Sequence, residues 1–594
     1  MQKKQMNALS AMELNFTYPG AEKKALGNIS LTLNEGEVLC LCGRTGCGKS
    51  TFLRMLKPLI APHGTLTGQI RFFDKDVKEM TPEEQAGRIG FVMQDPDNQI
   101  VTDKVWHELA FGLENLGIPP DMIRLRVAET AGFFGIENWF ERNTGELSGG
   151  QKQILALASV MVTNPELLIL DEPTARLDPV AAGDFLSALE KINREMGTTI
   201  VIAEHKLDEV LRLADRIAVL DRGKLILEDK VRGAVQTIIK ERNELLPVLP
   251  MAARAFAAVS QRKVLTDNDP SRGSEEVSDA PLDAAEGRAW ISSLFENESS
   301  GAKNASPIDD IKPVSDNPGT ENTGIAVAAD RTGISIKNVW FRYRKSDPDV
   351  IKGLSLKVRR GESIALIGGN GAGKSTLLSL ISGTKAAYRG KVRVIGSCSR
   401  LPQDPWLLFT EDLVEDDLAR KAELSRRANV SPEAELLKKL FAAEELYGRH
   451  PFDLSGGEQQ RLALCEVLST GADIFLLDEP TKGLDAGYKN VLIDVIAALR
   501  KKGKTVVTVS HDTEFSLRAA NRCLMMFQGD IIADGMAREF FSGNSFYTTQ
   551  VNRMARHIWP GALLPEDISV MSEKRFEPAE QKERMESLTG GINN

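Results

Sequence analysis

The sequence predicts an α/β protein assembled from two tandem copies of one domain, and three observations carry that reading. Ala25 to Glu37 matches Val350 to Glu362, so the internal repeat is far longer than a solenoid unit and marks duplication of a whole domain. Each matched segment leads through a short apolar strand and a glycine-rich loop into an apolar-periodic stretch, Thr51 to Leu59 and Thr376 to Ile381, that predicts a helix. Later in each half an all-apolar run, Leu167 to Leu170 and Ile474 to Leu477, reads as a strand covered on both faces, as in a parallel sheet. Strands alternating with helices define the α/β class.

The chain of 594 residues is 42% hydrophobic and 26% charged, and at about 150 residues per domain it has room for several cores. A formal charge of -9 argues against a surface built to neutralise nucleic-acid phosphates. No run approaches the roughly 18 apolar residues of a membrane-crossing helix. Met1 to Phe16 has lysines without the apolar core of a secretory signal, so an intracellular location is expected. Six cysteines form no CxxC pair, which fits a reduced compartment, and Cys40 and Cys42 are expected to be buried on one strand face. Residues 256–332 carry 14 acidic and 7 basic side chains and read as solvated linker, with Arg288 to Phe295 as a candidate docked helix. The expected organisation is a first domain over 1–245, an acidic linker over 246–332, a second domain over 333–560 and a polar tail over 561–594, disordered beyond about 570.

The loops carry the chemistry. Gly43, Gly46, Gly48, Lys49 and Ser50 in one half, and Gly368, Gly371, Gly373, Lys374 and Ser375 in the other, fit G-x-x-x-x-G-K-[ST] between a strand and a helix. Glycines let backbone N–H groups turn toward phosphate oxygens, the helix start adds positive partial charge, and the lysine reaches the terminal phosphates. Ser50 and Ser375, each followed by a threonine, Thr51 and Thr376, would offer hydroxyls to Mg²⁺. A glycine-rich turn without a ligand explains one such loop more easily than two in register. Asp171-Glu172 and Asp478-Glu479 end the apolar strands, the aspartates suited to the metal's waters and the glutamates to the attacking water. Ser148-Gly149-Gly150-Gln151 and Ser455-Gly456-Gly457-Glu458 each set the serine 23 residues before that aspartate (148 to 171; 455 to 478).

On these ordered motifs the chain resembles the ABC ATPase family over about 1–240 and 333–545. The resemblance implies two P-loop NTPase domains of ABC type, each with a RecA-like core, a β-subdomain and a helical signature subdomain. It also implies ATP and Mg²⁺ as ligands. It makes Gln94 and Gln403 Q-loop glutamines, His205 and His511 switch histidines at the γ-phosphate, and Tyr18 and Tyr343 adenine-stacking residues. It further implies two composite sites within the chain: Lys49 and Glu172 facing Ser455, Gly456 and Gly457, and Lys374 and Glu479 facing Ser148, Gly149 and Gly150. Both sites keep the glutamate and histidine and are expected to hydrolyse ATP. Three departures stand out. The second half has 29 residues from Lys374 to Gln403 against 45 from Lys49 to Gln94, predicting a trimmed β-subdomain. Glu458 replaces glutamine, and Ile154 stands where the second half has Arg461. Cys47, inside the first P-loop, is expected to react with thiol reagents and to be protected by ATP.

Residues 91–117 closely resemble the Q-loop region of energy-coupling factor (ECF) transporter ATPases, whereas the second half has only Gln403 to Phe409 to compare. That resemblance implies a peripheral protein at the cytoplasmic face of the cell membrane, docked to a transmembrane coupling protein and serving a small substrate-binding membrane protein. An ATPase of another ABC importer and a soluble tandem ABC protein acting on ribosomes are the alternatives. The acidic linker disfavours the ribosomal one, and no nucleic-acid partner is expected.

Overall fold

The computed structural model describes residues 7–21, 23–73, 75–175, 177–204, 207–241, 243–266, 280–296, 332–427 and 434–576. In the first half, strands β1 (Asn7–Thr17), β2 (Leu26–Asn34), β4 (Thr65–Phe72) and β5 (Lys75–Asp76) form an antiparallel sheet in the order β2-β1-β4-β5. A second sheet runs β10-β9-β3-β8-β7-β6, from β3 (Val38–Gly43), β6 (Ile89–Val92), β7 (Leu167–Asp171), β8 (Thr199–Ala203), β9 (Arg216–Asp221) and β10 (Lys224–Lys230). It is parallel apart from the β9–β10 hairpin. The α/β reading and the duplicated domain both hold.

The second half repeats the plan with β11 (Thr332–Phe341), β12 (Ile351–Arg359) and β14 (Arg389–Val394) as a three-stranded sheet. Its core sheet runs β15-β16-β17-β13-β18-β19, from β13 (Ser363–Ile367), β15 (Cys398–Leu401), β16 (Ile474–Asp478), β17 (Thr505–Val509), β18 (Arg522–Phe527) and β19 (Asp530–Met536). The first half's β5 and its helix Pro82–Arg88 have no counterpart here, which is the trimming that the shorter spacing predicts.

Core strands β3, β7 and β8 are buried along their whole length, as their unbroken apolar sequences require. Cys40 and Cys42 share one face of β3 and one hydrophobic cluster. The helix expected over Thr51 to Leu59 is shorter: it spans Lys49–Met55, and Pro58 opens a separate 3₁₀ turn, Pro58–Ile60. A residue before proline is pushed out of helical conformation, and Lys57 is extended at φ −127°, ψ 91°. The signature helices, Gly149–Met161 and Gly456–Ser469, pack with Val105–Asn115 and Pro120–Phe134 in the first half and with Val414–Arg427 and Ala434–Leu440 in the second.

The linker and tail hold more structure than expected. Helices Met251–Thr266 and Ala284–Glu296, from the linker, pack with Gln550–Ala555 and Pro565–Phe576, from the end of the second half. Together they bury Met251, Ala255, Val259, Ile291, Val551, Met554 and Ile568. The docked helix foreseen at Arg288 to Phe295 is the heart of Ala284–Glu296, and a Cβ on Gly287 would stand 2.6 Å from Met554 Sδ, so any larger residue would have to displace the Met554 side chain. The tail is helical through Phe576, past the expected onset of disorder near 570; residues 577–594 lie outside the described ones.

Polar contacts fasten this helical clamp. Arg254 donates from Nη1 and Nη2 to the two carboxylate oxygens of Glu514 at 2.9 Å each, and Arg518 bonds both Glu514 and Glu566. Met251 N–H donates to Asp208 and Ala252 N–H to Gln550, so the linker helix touches both halves. Among the described residues no helix is long and apolar enough to cross a membrane.

Candidate functional site

Each P-loop turns at glycines with positive φ, Gly46 (76°) and Gly48 (104°) in the first, Gly371 (76°) and Gly373 (103°) in the second. Lys49 is folded over its loop, its ammonium donating to Gly43 O at 3.0 Å and standing 3.8 Å from Glu172 Oε1. Lys374 does the same, to Gly368 O at 2.8 Å and Gly369 O at 2.9 Å. Burial pulls the Lys374 ammonium below its ordinary pKa, opposed by the charges of Glu479 and Asp478. Both lysines are thus held at the cradle by groups that an arriving phosphate can replace.

Ser50 Oγ donates to Asp171 at 2.9 Å, and Ser375 Oγ to Asp478 at 3.1 Å. Burial pushes the Asp171 carboxyl up to about 6, Glu172 adding to it and the Ser50 hydrogen bond opposing it. Burial likewise raises Asp478. A carboxylate beside a hydroxyl is an all-oxygen donor pair, and these residues fit a small hard divalent cation.

Glu172 and Glu479, one residue on, have φ of 48° and 49°. A non-glycine residue there costs of order 1–3 kcal/mol and persists where the surroundings enforce it. The enforcing bonds are Glu172 N–H to Ala203 O at 3.0 Å and Glu479 N–H to Val509 O at 2.9 Å, which turn the carboxylates off the strand ends. Gln94 donates to Glu172 at 2.9 Å, and His511 Nε2 lies 3.4 Å from Glu479 Oε1. Gln403 is exposed, and His205 lies outside the described residues. Tyr18 and Tyr343 are matched in detail, each hydroxyl 2.9 Å from the P-loop threonine, Thr51 or Thr376.

The halves face each other head to tail, and one site is drawn tight. Thr45 N–H donates to Asp485 at 2.9 Å, and Thr45 Oγ1 to Gly483 O at 3.2 Å. A Cβ on Gly457 would stand 2.3 Å from Thr45 Cγ2, and one on Gly456 3.0 Å from Gln94 Oε1. The first P-loop and Gln94 therefore meet the second signature. The reciprocal site is looser: a Cβ on Gly149 meets nothing within 4 Å, and one on Gly150 meets Ala181 of its own half at 3.1 Å. Asp178 and its counterpart Asp485 each cap their own helix, Asp178 through Val180 N and Ala181 N and Asp485 through Tyr488 N, and Asp485 in addition accepts from Thr45 of the other half. A cavity of about 1260 Å³ lies between the halves, bordered by Asp178, Asp485, Gly369 and His511.

Several contributors were not singled out from the sequence. Asp178 and Asp485 each follow the strand-end aspartate by seven residues, a repeat between halves that was there to be found. Arg461 is paired with Tyr488, Nη1 to the hydroxyl at 2.5 Å, with the guanidinium 4.6 Å from the ring centroid. In the first half the corresponding residues are Ile154 and Ala181, an apolar pair where the second half has arginine and ring. A second difference surrounds Asp171 and Asp478. Arg400 lies 3.5 Å from Asp478 and donates to Ser379 Oγ at 2.8 Å. In the first half Phe91 takes the place of Arg400 and Arg54 the place of Ser379, with Arg54 acting on Asp171 through its charge. Cys47 departs from the expectation of an accessible thiol: the residue is 5% exposed and burial raises its pKa, both of which lower its reactivity toward thiolate-selective reagents.

The family model described as ABC transporter matches residues 26–175 and 351–482, the two segments that carry these loops and strands. A Bacillus thuringiensis subsp. konkukian relative bearing the name of an ABC transporter ATP-binding protein is 37% identical over 577 residues, 93% of this chain and 96% of its own length. Among solved structures, cbiO1 of Clostridium perfringens, part of the ABC transporter complex cbiONQ, is 35% identical, covering 41% of this chain and 97% of its own, with a TM-score of 0.36. The archaeal ribosome recycling factor aABCE1, solved with the ribosomal stalk protein aP1, is 20% identical over 89% of this chain and 91% of its own, TM-score 0.53, a likeness of fold. With two phosphate-binding loops, two signatures and a relative aligned nearly end to end, the chain belongs to the ABC transporter ATP-binding proteins, two ATPase domains fused in one polypeptide.

Proposed function

We propose that the chain binds and hydrolyses ATP at two composite sites and thereby drives a membrane transporter of the energy-coupling factor kind, taking up a vitamin or a metal cation. The observation that carries the composite-site reading is the closure of Thr45 and Gln94 onto Gly483, Asp485, Gly456 and Gly457. Lys49 and Lys374 exchange loop carbonyls for the β- and γ-phosphates, and the glycine N–H groups line the phosphate path. Ser455, Gly456 and Gly457 close on the γ-phosphate of the first site, and Ser148, Gly149 and Gly150 on that of the second; Gln151 and Glu458 shape the two helix starts. Tyr18 and Tyr343 stack on adenine. Mg²⁺, when bound near Ser50, Asp171 and Gln94 or near Ser375, Asp478 and Gln403, neutralises phosphate charge. Glu172 and Glu479 then orient and deprotonate the attacking water, and His205 and His511 hold the γ-phosphate. A general base contributes about 10² to 10⁴-fold in rate.

Support for a membrane partner comes from the surface next to the Q-loop. Phe91, Gln99, Phe111, Leu116 and Val160 border a groove, with Leu59, Val101, Trp106 and Phe111 exposed around it. Such a groove suits a short amphipathic helix of a coupling protein. ATP binding brings the halves together and hydrolysis lets them part, which biases a two-state partner. The test is a mild-detergent pull-down from native membranes with mass spectrometry. A multi-span coupling protein recovered with a small membrane protein supports the reading; ribosomal proteins without a membrane partner overturn the transport role and leave the ATPase chemistry standing.

A further inference from the structure

The two signatures differ at one position, Gln151 against Glu458, and the difference puts a carboxylate where the second signature meets the first P-loop. Glu458 is the third helical residue after the Ser455 cap, as Gln151 is after Ser148, and both complete a capping box. The resemblance ends there. Gln151 Oε1 accepts from Ser148 N–H at 3.0 Å. Glu458 Oε2 accepts from Ser455 N–H at 2.8 Å and also from the Ser455 hydroxyl at 2.8 Å, so the hydroxyl that should meet a γ-phosphate points its proton at a carboxylate. Glu458 Oε1 faces the other half, 3.9 Å from where a Cβ on Gly46 would stand.

A bare carboxylate at that rim would repel a triphosphate and keep the serine's proton. It is not bare. Arg449 donates from Nη1 to Glu458 Oε1 at 3.0 Å and from Nη2 to Oε2 at 3.4 Å, and its Nη2 is anchored on Asp453 O at 3.2 Å. Burial pushes the Glu458 carboxyl up, but the Arg449 charge and the Ser455 bonds outweigh it and leave the carboxyl below its ordinary range. Glu458 is therefore ionised, and a forked guanidinium is the partner that matches it. The first half also has arginine six residues before its serine, Arg142, which is exposed, and a neutral amide, Gln151, stands where the second half has Glu458.

We propose that Arg449 is a positioning residue of the first ATP site: by pairing with Glu458 it presents the γ-phosphate with a neutral ion pair and weakens the carboxylate's competition for the Ser455 hydroxyl, which donates to Glu458 until a phosphate replaces it. The proposal rests on the assignment of that site to nucleotide. It also makes the two sites chemically unequal, since only the site completed by the second signature depends on an ion pair, one whose arginine is 41% exposed and hence open to screening by salt.

The experiment uses the full chain with the other site silenced by Glu479→Gln, and measures ATP turnover against ATP concentration. Arg449→Ala is expected to raise KM about fivefold, with kcat changed less than twofold, because charge repulsion acts on the nucleotide before chemistry. With Glu458→Gln present in the same chain, the further change Arg449→Ala is expected to move KM less than twofold. Arg449→Lys, which keeps the charge and loses the fork, should fall between. Melting profiles that superimpose on the parent's establish that the variants are folded. An equal rise in KM with Gln or Glu at 458, or a loss confined to kcat, overturns the proposal. Lys49→Ala in the same background separates the two levels: it should abolish turnover, and turnover that survived would overturn the site assignment and the role of Arg449 with it.

Discussion

Arg254→Ala should loosen the helical clamp while leaving both ATPase cores folded. The pair joins the linker helix Met251–Thr266 to Thr513–Ala519 of the second half through two bonds of 2.9 Å, with side chains 23% and 19% exposed. Truncating one partner of a fully buried pair costs about 3–5 kcal/mol, while an exposed pair is worth at most about 1 kcal/mol. This pair lies between those limits, and Arg518 still neutralises Glu514 in the variant. About 2 kcal/mol is the resulting expectation, or roughly a 30-fold increase in local opening at 1.36 kcal/mol per tenfold. A melting temperature reports on the whole chain, whose several domains need not unfold in two states, and does not isolate this one joint. Native-state amide exchange is the suitable assay: amides of 251–266 and 284–296 should exchange roughly 30-fold faster, with those of β3 and β13 unchanged. Glu514→Ala added to Arg254→Ala should cost less than the two single changes combined. Unchanged exchange in 251–266, or strict additivity, would refute the claim that this ion pair fastens the clamp.

Three further outcomes follow from the site. Gly457→Ala places a methyl 2.3 Å from Thr45 Cγ2 and 2.5 Å from Gly483 O, so turnover of the first site should fall at least tenfold, whereas Gly150→Ala, meeting Ala181 alone, should cost its site less; equal losses in single-site backgrounds would contradict the asymmetry. Arg400→Phe should lower turnover at the second site about tenfold by leaving Asp478 without its neighbouring guanidinium. Adding Ser379→Arg, which recreates the first half's arrangement, should restore most of it; a double variant as poor as the single one would show that the arginines are not equivalent. Lys57 supplies a pH signature: burial lowers its ammonium to about 8 while it donates to Ile89 O at 2.6 Å. Below pH 8 the folded state carries a buried charge at a cost. Between pH 8 and 10.5 the unfolded chain binds more protons at this residue than the folded one, so stability rises with pH there. Lys57→Met should remove that rise, and parallel melting-temperature curves for parent and variant over this range would exclude it.

The motifs were legible because their chemistry is local. A P-loop, a capped signature helix and an acidic strand end each need residues at fixed short spacings, and the spacing of 29 against 45 sufficed to foresee a trimmed β-subdomain, which lacks β5 and the helix after it. The clamp was not legible in the same way. Its stability depends on Met251 and Ile291 meeting Met554 across the length of the second domain, and Met251–Thr266 is rich in alanine, with no strong apolar stripe to announce a partner. Acidic composition between the halves suggested solvated chain, and long-range burial overrode it for the two helices that dock. Arg400 and Arg449 escaped for a related reason: a charge among many becomes meaningful once a carboxylate is known to stand beside it. Cys47 was misjudged because membership of a phosphate-binding loop says nothing of which way a side chain points, and this thiol joins the core beneath the loop.

The clamp also dictates where the polypeptide can be divided. A cut near 245, at the apparent end of the first domain, would leave Met251–Thr266 and Ala284–Glu296 with the second half and strip the first of the strap that Met251 N–H makes to Asp208. A cut within 297–331 would leave those two helices on one fragment and Gln550–Ala555 with Pro565–Phe576 on the other. Each fragment would then expose half of a hydrophobic joint, Ile291 and Val259 on one, Met554 and Ile568 on the other. Co-expressed, such fragments carry their own adhesive and their own orientation, a split ATPase whose reassembly reports on whatever brings its halves together.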